Sequence, residues 1–265
     1  MEEKEEIENL CSRVDHYKKN EEQSERLGTS PSSSYLCVRL DGIGLSKKYL
    51  KNNVSNGEFD VAMREAFEAT YDVLRRKAPT NAKNIFLCAF IASDEVSVVL
   101  NSQPNYYKGR LFKTVTTIAS TFTHFLTRNS CPKVHGKSRK EKKYDGSFDG
   151  RPLVFQDTSE VVDYVAYRYA TYIRNTSAKL LRLNGLSDDE LYSNGNHNNL
   201  KFISSHISDR GLIEQQVHIP KHPRLYVPTS SGELIEYKFT SLHEFESIAS
   251  NAIKEFNQWL KQKCA

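Results

Sequence analysis

Between Tyr35 and Phe155 the apolar residues change period in a fixed order, and that order restricts the fold more than any other feature of the chain. Tyr35 to Leu40 is a short apolar run ending in Asp41-Gly42, as expected of a strand that delivers a carboxylate to its carboxyl end. From Glu58 to Lys77, residues Phe59, Ala62, Met63, Ala66, Phe67, Thr70, Val73 and Leu74 recur at three- and four-residue intervals, which predicts an amphipathic helix. The runs Asn84 to Ala92 and Val96 to Leu100 flank Ser93-Asp94-Glu95 and read as a hairpin with those residues in its turn. A second helix is expected over Tyr107 to Arg128, with Leu111, Val115, Ile118, Phe122 and Phe125 on one stripe, and a strand over Pro152 to Phe155. Strand, helix, strand, strand, helix, strand is the split βαβ or ferredoxin-like arrangement of an α+β protein, in which the first strand lies beside the central hairpin.

The flanks add to this unit. A charged helix is expected over Glu5 to Leu27, then a Ser/Pro linker from Thr29 to Ser34. Downstream, Ser159 to Leu183 reads as a long helix with Thr158 or Ser159 as its N-cap, and Ser187 with Glu190 as a capping box opening a short helix. Strands around Gly211 to His218 and Glu233 to Phe239 precede a C-terminal helix from Ser241 to Lys263. The division expected is a helix and linker over 1–33, a catalytic unit over 34–158 and a helical and β extension over 159–265.

At 265 residues and 38% hydrophobic content the chain can bury a sizeable core. No apolar stretch approaches a membrane span and the N-terminus is acidic, so a soluble, cytoplasmic protein is expected. The five cysteines are odd in number and scattered, which argues against zinc or a disulfide framework; Cys37 and Cys88 are expected in the core. Net charge is only +4, but Lys133 to Lys143 is densely basic and suits either a phosphate-binding loop or a solvated one.

Asp41 and Asp94, on neighbouring strands, can converge at one sheet edge, where hard oxygen ligands suit Mg²⁺ and two-metal phosphoryl transfer. Each motif alone also reads as an ordinary turn, since Asp-Gly and Ser-Asp-Glu are common turn sequences.

Taken together the motifs are more specific. The chain resembles the tRNA-His guanylyltransferase superfamily, enzymes that add nucleotides in the 3′-to-5′ direction to the 5′ end of tRNA. The resemblance is carried by Arg13 and Tyr17, Arg39-Leu40-Asp41-Gly42 with Gly44, Ser93-Asp94-Glu95 with Ser97, and Arg110 with Lys113. Phe148-Asp149-Gly150-Arg151 and Asp163-Tyr164, Arg168 and Arg174-Asn175-Thr176 complete it. Ile173-Arg174-Asn175-Thr176 stands where eukaryotic members carry His-Ile-Asn-Asn, so the chain is most similar to the guanylyltransferase-like proteins of bacteria and archaea, which prefer template-directed 5′-end repair. It departs from the family at Ile43, Leu45, Tyr167 and Thr171.

The resemblance implies a polymerase-type palm holding two Mg²⁺ ions, with ATP and GTP or other NTPs as substrates, tRNA as partner and a homotetramer as assembly. It implies catalytic roles for Asp41, Asp94 and Glu95, and metal binding by Asp41, Gly42 and Asp94. Nucleotide contacts would come from Gly42, Ile43, Gly44, Leu45, Arg110 and Lys113, and RNA contacts from Arg151, Arg168, Arg174 and Asn175. Lys47 and Lys48 read as solvated surface. Single-G addition to tRNA-His, and a catalytically idle RNA-binding palm, are the alternatives.

Overall fold

The computed structural model describes residues 2–31, 33–49, 57–76, 86–101, 106–129, 144–212, 223–239 and 241–264. Its elements run α1 (Glu2–Ser12), α2 (Val14–Glu25), β1 (Tyr35–Gly42), α3 (Leu45–Lys48), α4 (Glu58–Arg76), β2 (Phe86–Ala92), β3 (Glu95–Leu100) and α5 (Leu111–Asn129). Then come β4 (Phe148–Phe155), α6 (Thr158–Leu183), α7 (Asp188–Tyr192), α8 (Leu200–Asp209), β5 (Arg224–Pro228), β6 (Leu234–Tyr237) and α9 (Leu242–Cys264). The sheet order is β4-β1-β3-β2-β5-β6. Its first four strands are the ferredoxin-like sheet expected from the periodicity, and β5 and β6 continue it from the far edge.

The two faces of the sheet are covered differently. Leu36, Val38 and Leu40 of β1 and Val96, Val98 and Leu100 of β3 pack against α4 and α5 through Phe59, Met63, Phe67, Ile118 and Phe122. The opposite face, including Cys37, Cys88, Val99, Leu153 and Phe155, packs against α6, α9 and α1. Fully burying one such large apolar side chain contributes about 1.5–3 kcal/mol, so these two layers supply most of the stabilisation. Cys11, Cys37 and Cys88 are buried free thiols, as the core reading of the latter two required.

β4 is an edge strand, which lets Pro152 sit within it without removing a ladder donor. Helix α2 covers that edge: Val154 N donates to Asn20 Oδ1 (3.2 Å) and Ser24 Oγ (3.1 Å), while Asn20 Nδ2 donates to Val154 O (3.1 Å). The strand therefore begins four residues earlier than the apolar run suggested.

Other boundaries also differ from expectation, each for a physical reason. The N-terminal helix breaks at Arg13 (φ −76°, ψ 8°). Ile7, Leu10, Cys11 and Tyr17 all join the α6/α9 layer, Tyr17 stacking on Tyr167 at 4.5 Å, but only the second half also bonds β4, through Asn20 and Ser24. Helix α5 starts at Leu111 rather than Tyr107, because Tyr107, Lys108 and Gly109 all have left-handed φ values (53°, 57° and 71°). That turn is tied to the linker by Ser30 N to Gly109 O (2.8 Å) and Leu111 N to Gly28 O (3.2 Å). No strand opens at Gly211, which ends the unforeseen helix α8 with φ 60°; the rest of that expected strand, from residue 213, lies outside the described residues, as does Lys133 to Lys143.

The N-cap of α6 is Asp157, not Thr158 or Ser159. Its Oδ1 accepts from Ser159 N (2.8 Å) and Glu160 N (3.0 Å), where a carboxylate also faces the positive end of the helix dipole. Asp157→Ala is expected to lower stability by about 1 kcal/mol, read from the urea midpoint; no change would mean that the cap is not used in solution. The Ser187/Glu190 capping box is present, with Glu190 N donating to Ser187 Oγ (3.1 Å) and Ser187 N to Glu190 Oε2 (3.0 Å).

Candidate active site

Strand alternation sorts the polar residues onto one face. Because Leu36, Val38 and Leu40 turn toward α4 and α5, Arg39 and Asp41 turn toward α6; by the same parity Glu95, Ser97, Asp149 and Arg151 join them. Ser97 Oγ accordingly lies 2.9 Å from the α6 hydroxyl of Tyr164. Cross-strand register places Asp41 opposite Glu95 on one side and Asp149 on the other, and Arg39 opposite Ser97 and Arg151. A row of three carboxylates thus lies across the end of the sheet, with two guanidinium groups one pair behind it. The Ser93-Asp94 turn stands just beyond, and Gly42 N donates to Asp94 O at 3.0 Å, joining the two acidic motifs through the backbone.

Carboxylates set side by side repel, and the arginines hold them in place. Arg39 donates to Asp41 Oδ2 (3.1 Å), Glu95 Oε2 (3.0 Å) and Glu21 Oε1 (2.8 Å) from α2. Arg168 of α6 pairs with Glu95, and Arg151 pairs with Asp149 (2.6 Å) and Glu21 (3.5 Å). In this network the carboxylates of Glu21, Asp41, Glu95 and Asp149 face the guanidinium groups of Arg39, Arg151 and Arg168, leaving an excess of negative charge. Burial first, then Glu95 and more weakly Asp94, raise the Asp41 carboxyl above the usual range against the pull of Arg39 and Arg168.

Asp94 is neutralised separately. Lys179 Nζ lies 3.6 Å from Asp94 Oδ1 and 2.5 Å from Ser93 Oγ, and Ser93 Oγ donates to Asp94 Oδ1 at 3.0 Å. Burial lowers the Lys179 ammonium below the usual lysine range, opposed by Asp94.

These groups line a cleft of about 500 Å³ walled by α2, the sheet end, α6 and the turn at residues 193–198. Of the residues singled out from sequence, Asp41, Asp94, Glu95, Arg151, Arg168, Arg174 and Asn175 line it. Arg168 is not a free RNA contact, since it is buried against Glu95; Glu95 is likewise buried rather than presented at a hairpin tip. Arg174 donates to Asn175 Oδ1 (3.2 Å) at the open side.

The residues expected around a triphosphate, Gly42 to Leu45 with Arg110 and Lys113, are not among those lining this cleft. Ile43 is 64% exposed, Gly44 has φ 70°, and Leu45 is buried in the α4/α5 layer. A Cβ on Gly42 would come within 2.8 Å of Leu45 Cδ1, so this glycine makes room for its neighbour's side chain. Arg110, just before α5, and Lys113 in its first turn lie outside the cleft lining, with Lys113 Nζ 4.4 Å over the Tyr107 ring and Arg110 Nε donating to Tyr107 O (3.2 Å). Sequence reasoning missed Glu21, Lys179, Arg182 and His197 in the cleft. The signal for Lys179 was present: it follows Arg168 by eleven residues and Asn175 by four, which keeps all three on one helical stripe.

A metal would find oxygen donors here. Among the described residues no group of three or more His, Cys, Asp or Glu side chains converges at metal-ligand distance. The Asp41 and Asp94 carboxylates are hard oxygen donors of the kind Mg²⁺ takes, and Mg²⁺ commonly needs only one or two protein carboxylates, filling its other positions with water and substrate phosphates.

Three comparisons bear on this arrangement. The tRNAHis guanylyltransferase family model matches residues 15–156. Among solved structures, the Saccharomyces cerevisiae tRNA(His) guanylyltransferase is 22% identical with a TM-score of 0.54, covering 83% of this chain and 95% of that one. A bacterial tRNA(His) guanylyltransferase-like protein is similar in its complex with ATP (19% identity, TM-score 0.58, covering 91% and 97%) and in its complex with GTP (18%, 0.53, covering 93% and 99%). Among curated proteins no sequence match is found. With more than half of its length matched, and with the palm sheet carrying both acidic motifs to one cleft, the chain belongs to the tRNAHis guanylyltransferase family of nucleotidyltransferases.

Proposed function

We propose that this protein repairs tRNA 5′ ends by template-directed 3′-to-5′ nucleotide addition, with Asp41 and Asp94 holding two Mg²⁺ ions. The observation that carries the reading is the convergence of both carboxylates on one cleft that Arg151, Arg174 and Arg182 also line. The ATP and GTP complexes of the bacterial relative support nucleoside triphosphates as substrates, and Arg174-Asn175-Thr176 at the cleft supports the template-directed branch.

In the first stage the 5′-phosphate of the RNA attacks the α-phosphorus of ATP and pyrophosphate leaves. In the second, the 3′-hydroxyl of an incoming NTP attacks the activated 5′-phosphate and AMP leaves. Bound magnesium would neutralise charge on the attacking and leaving oxygens. This chain's own residues position the reactants: Arg39 fixes the Asp41 and Glu95 carboxylates, and Glu95, locked by Arg168, keeps Arg39 in place. Arg151 and Arg174 offer guanidinium groups to phosphate, the geometry that pairs with it bidentately. Asn175 offers an amide at the open side. Arg110 and Lys113 would meet the RNA or triphosphate from the other face of the sheet end, and the homotetramer implied by the resemblance belongs to the same proposal.

The test supplies Mg²⁺, four NTPs and tRNAs lacking the 5′ nucleotide, one for each base opposite the gap. Addition of the complementary nucleotide in all four, stopping when the stem is paired, is expected. Addition of G alone whatever the opposite base would make the enzyme a single-G guanylyltransferase, and RNA binding without addition would make it an idle palm.

A further inference from the structure

The two acidic residues at the cleft are not equivalent. Asp41 has a side chain 38% exposed and, among the described residues, accepts from Arg39, which is shared with Glu95 and Glu21. Asp94 is 11% exposed in its side chain and is faced by an ammonium that is itself 12% exposed. Lys179 reaches it from the eleventh position after Arg168 on α6, with Ser93 Oγ as a second acceptor at 2.5 Å. An ammonium stripped of most of its hydration in this way is held by charge, at the oxygen a divalent cation would take. Other charges near it are Arg182, on its own helix, and Asp41 across the cleft.

We infer that Lys179 competes with a divalent cation for the Asp94 carboxylate, so that this chain resists cation binding at Asp94 until substrate phosphates supply the remaining oxygen ligands. The inference rests on the reading of Asp41 and Asp94 as cation ligands. Loss of an ordinary structural ion pair would loosen the turn and weaken cation binding; loss of a competitor strengthens it. A unit positive charge within 4 Å of the ligand makes the effect large enough to measure even at the effective dielectric of a protein surface.

The test is a titration of the full-length, nucleotide-free protein with Mn²⁺, reading free ion by electron paramagnetic resonance. Lys179→Met and Lys179→Gln are expected to bind Mn²⁺ about tenfold more tightly than wild type, and Lys179→Arg, which restores the charge, no more tightly. Thermal unfolding checks that each variant is folded. Unchanged or weaker Mn²⁺ binding in a folded Met or Gln variant overturns the inference. Asp94→Asn separates the two levels of the argument. If, titrated with a non-hydrolysable nucleoside triphosphate present, it leaves Mn²⁺ binding at the wild-type level, the cation reading of Asp94 itself fails; if it weakens binding there while the Lys179 variants do not tighten it in the nucleotide-free protein, only the competition fails.

Discussion

Asp41→Asn and Asp94→Asn should each lower nucleotide addition by about a thousandfold or more, equivalent to roughly 4 kcal/mol of transition-state stabilisation. Both substitutions keep size and shape and remove the negative charge on which the proposed cation binding depends. Their effects on stability should differ, which guards against reading a folding defect as a catalytic one. The fold holds Asp41 against burial and against Glu95 and Asp94, which is why its carboxyl is raised. Removing that charge should leave the melting temperature equal to or above that of wild type. Asp94→Asn instead strands the Lys179 ammonium, and its melting temperature should fall. RNA binding, measured by filter retention, should persist in both. Near-normal addition by either variant would show that the two carboxylates do not hold the reaction's cations.

The second large effect is on stability. Glu95→Gln removes one charge from between the buried guanidinium group of Arg168 and the half-buried one of Arg39, and is expected to cost about 3–5 kcal/mol in a urea unfolding experiment. Breaking a buried pair costs more than the pair contributes, because the partner is left uncompensated. Arg168→Met added to Glu95→Gln should therefore recover part of the loss, a non-additivity that independent surface charges do not show. A loss below about 1 kcal/mol for Glu95→Gln would mean that the network is solvated and does not fix Arg39.

Much of this was legible in the sequence. The periods of apolar residues reveal the four palm strands and the helices between them, because half-buried strands and amphipathic helices must repeat at two and about 3.6 residues. The adjacency of β1 and the β2/β3 hairpin brings Asp41 and the turn residue Asp94 to one edge, while parity puts Glu95 on the same face as Asp41. What could not be read were features set by long-range partners. The sequence shows Glu95 in a turn, yet Arg168, 73 positions away, decides that it is buried. Glu21 looks like one more charge on a polar helix until α2 is laid along the β4 edge by Asn20 and Ser24. The start of α5 was misplaced because apolar spacing carries no information about the left-handed turn at Tyr107 and Lys108. Leu45 was read for its backbone, whereas its side chain is a core residue that requires Gly42 to be small.

The central claim is that Asp41 and Asp94 share divalent cations at the end of the β1/β3 pair. A crystal of the protein grown with Mn²⁺ and a nucleoside triphosphate, its data collected at the manganese absorption edge, tests this directly. Anomalous peaks within about 2.2 Å of carboxylate oxygens of both Asp41 and Asp94 are the expected result. Manganese bound to the triphosphate but contacting neither carboxylate would contradict it.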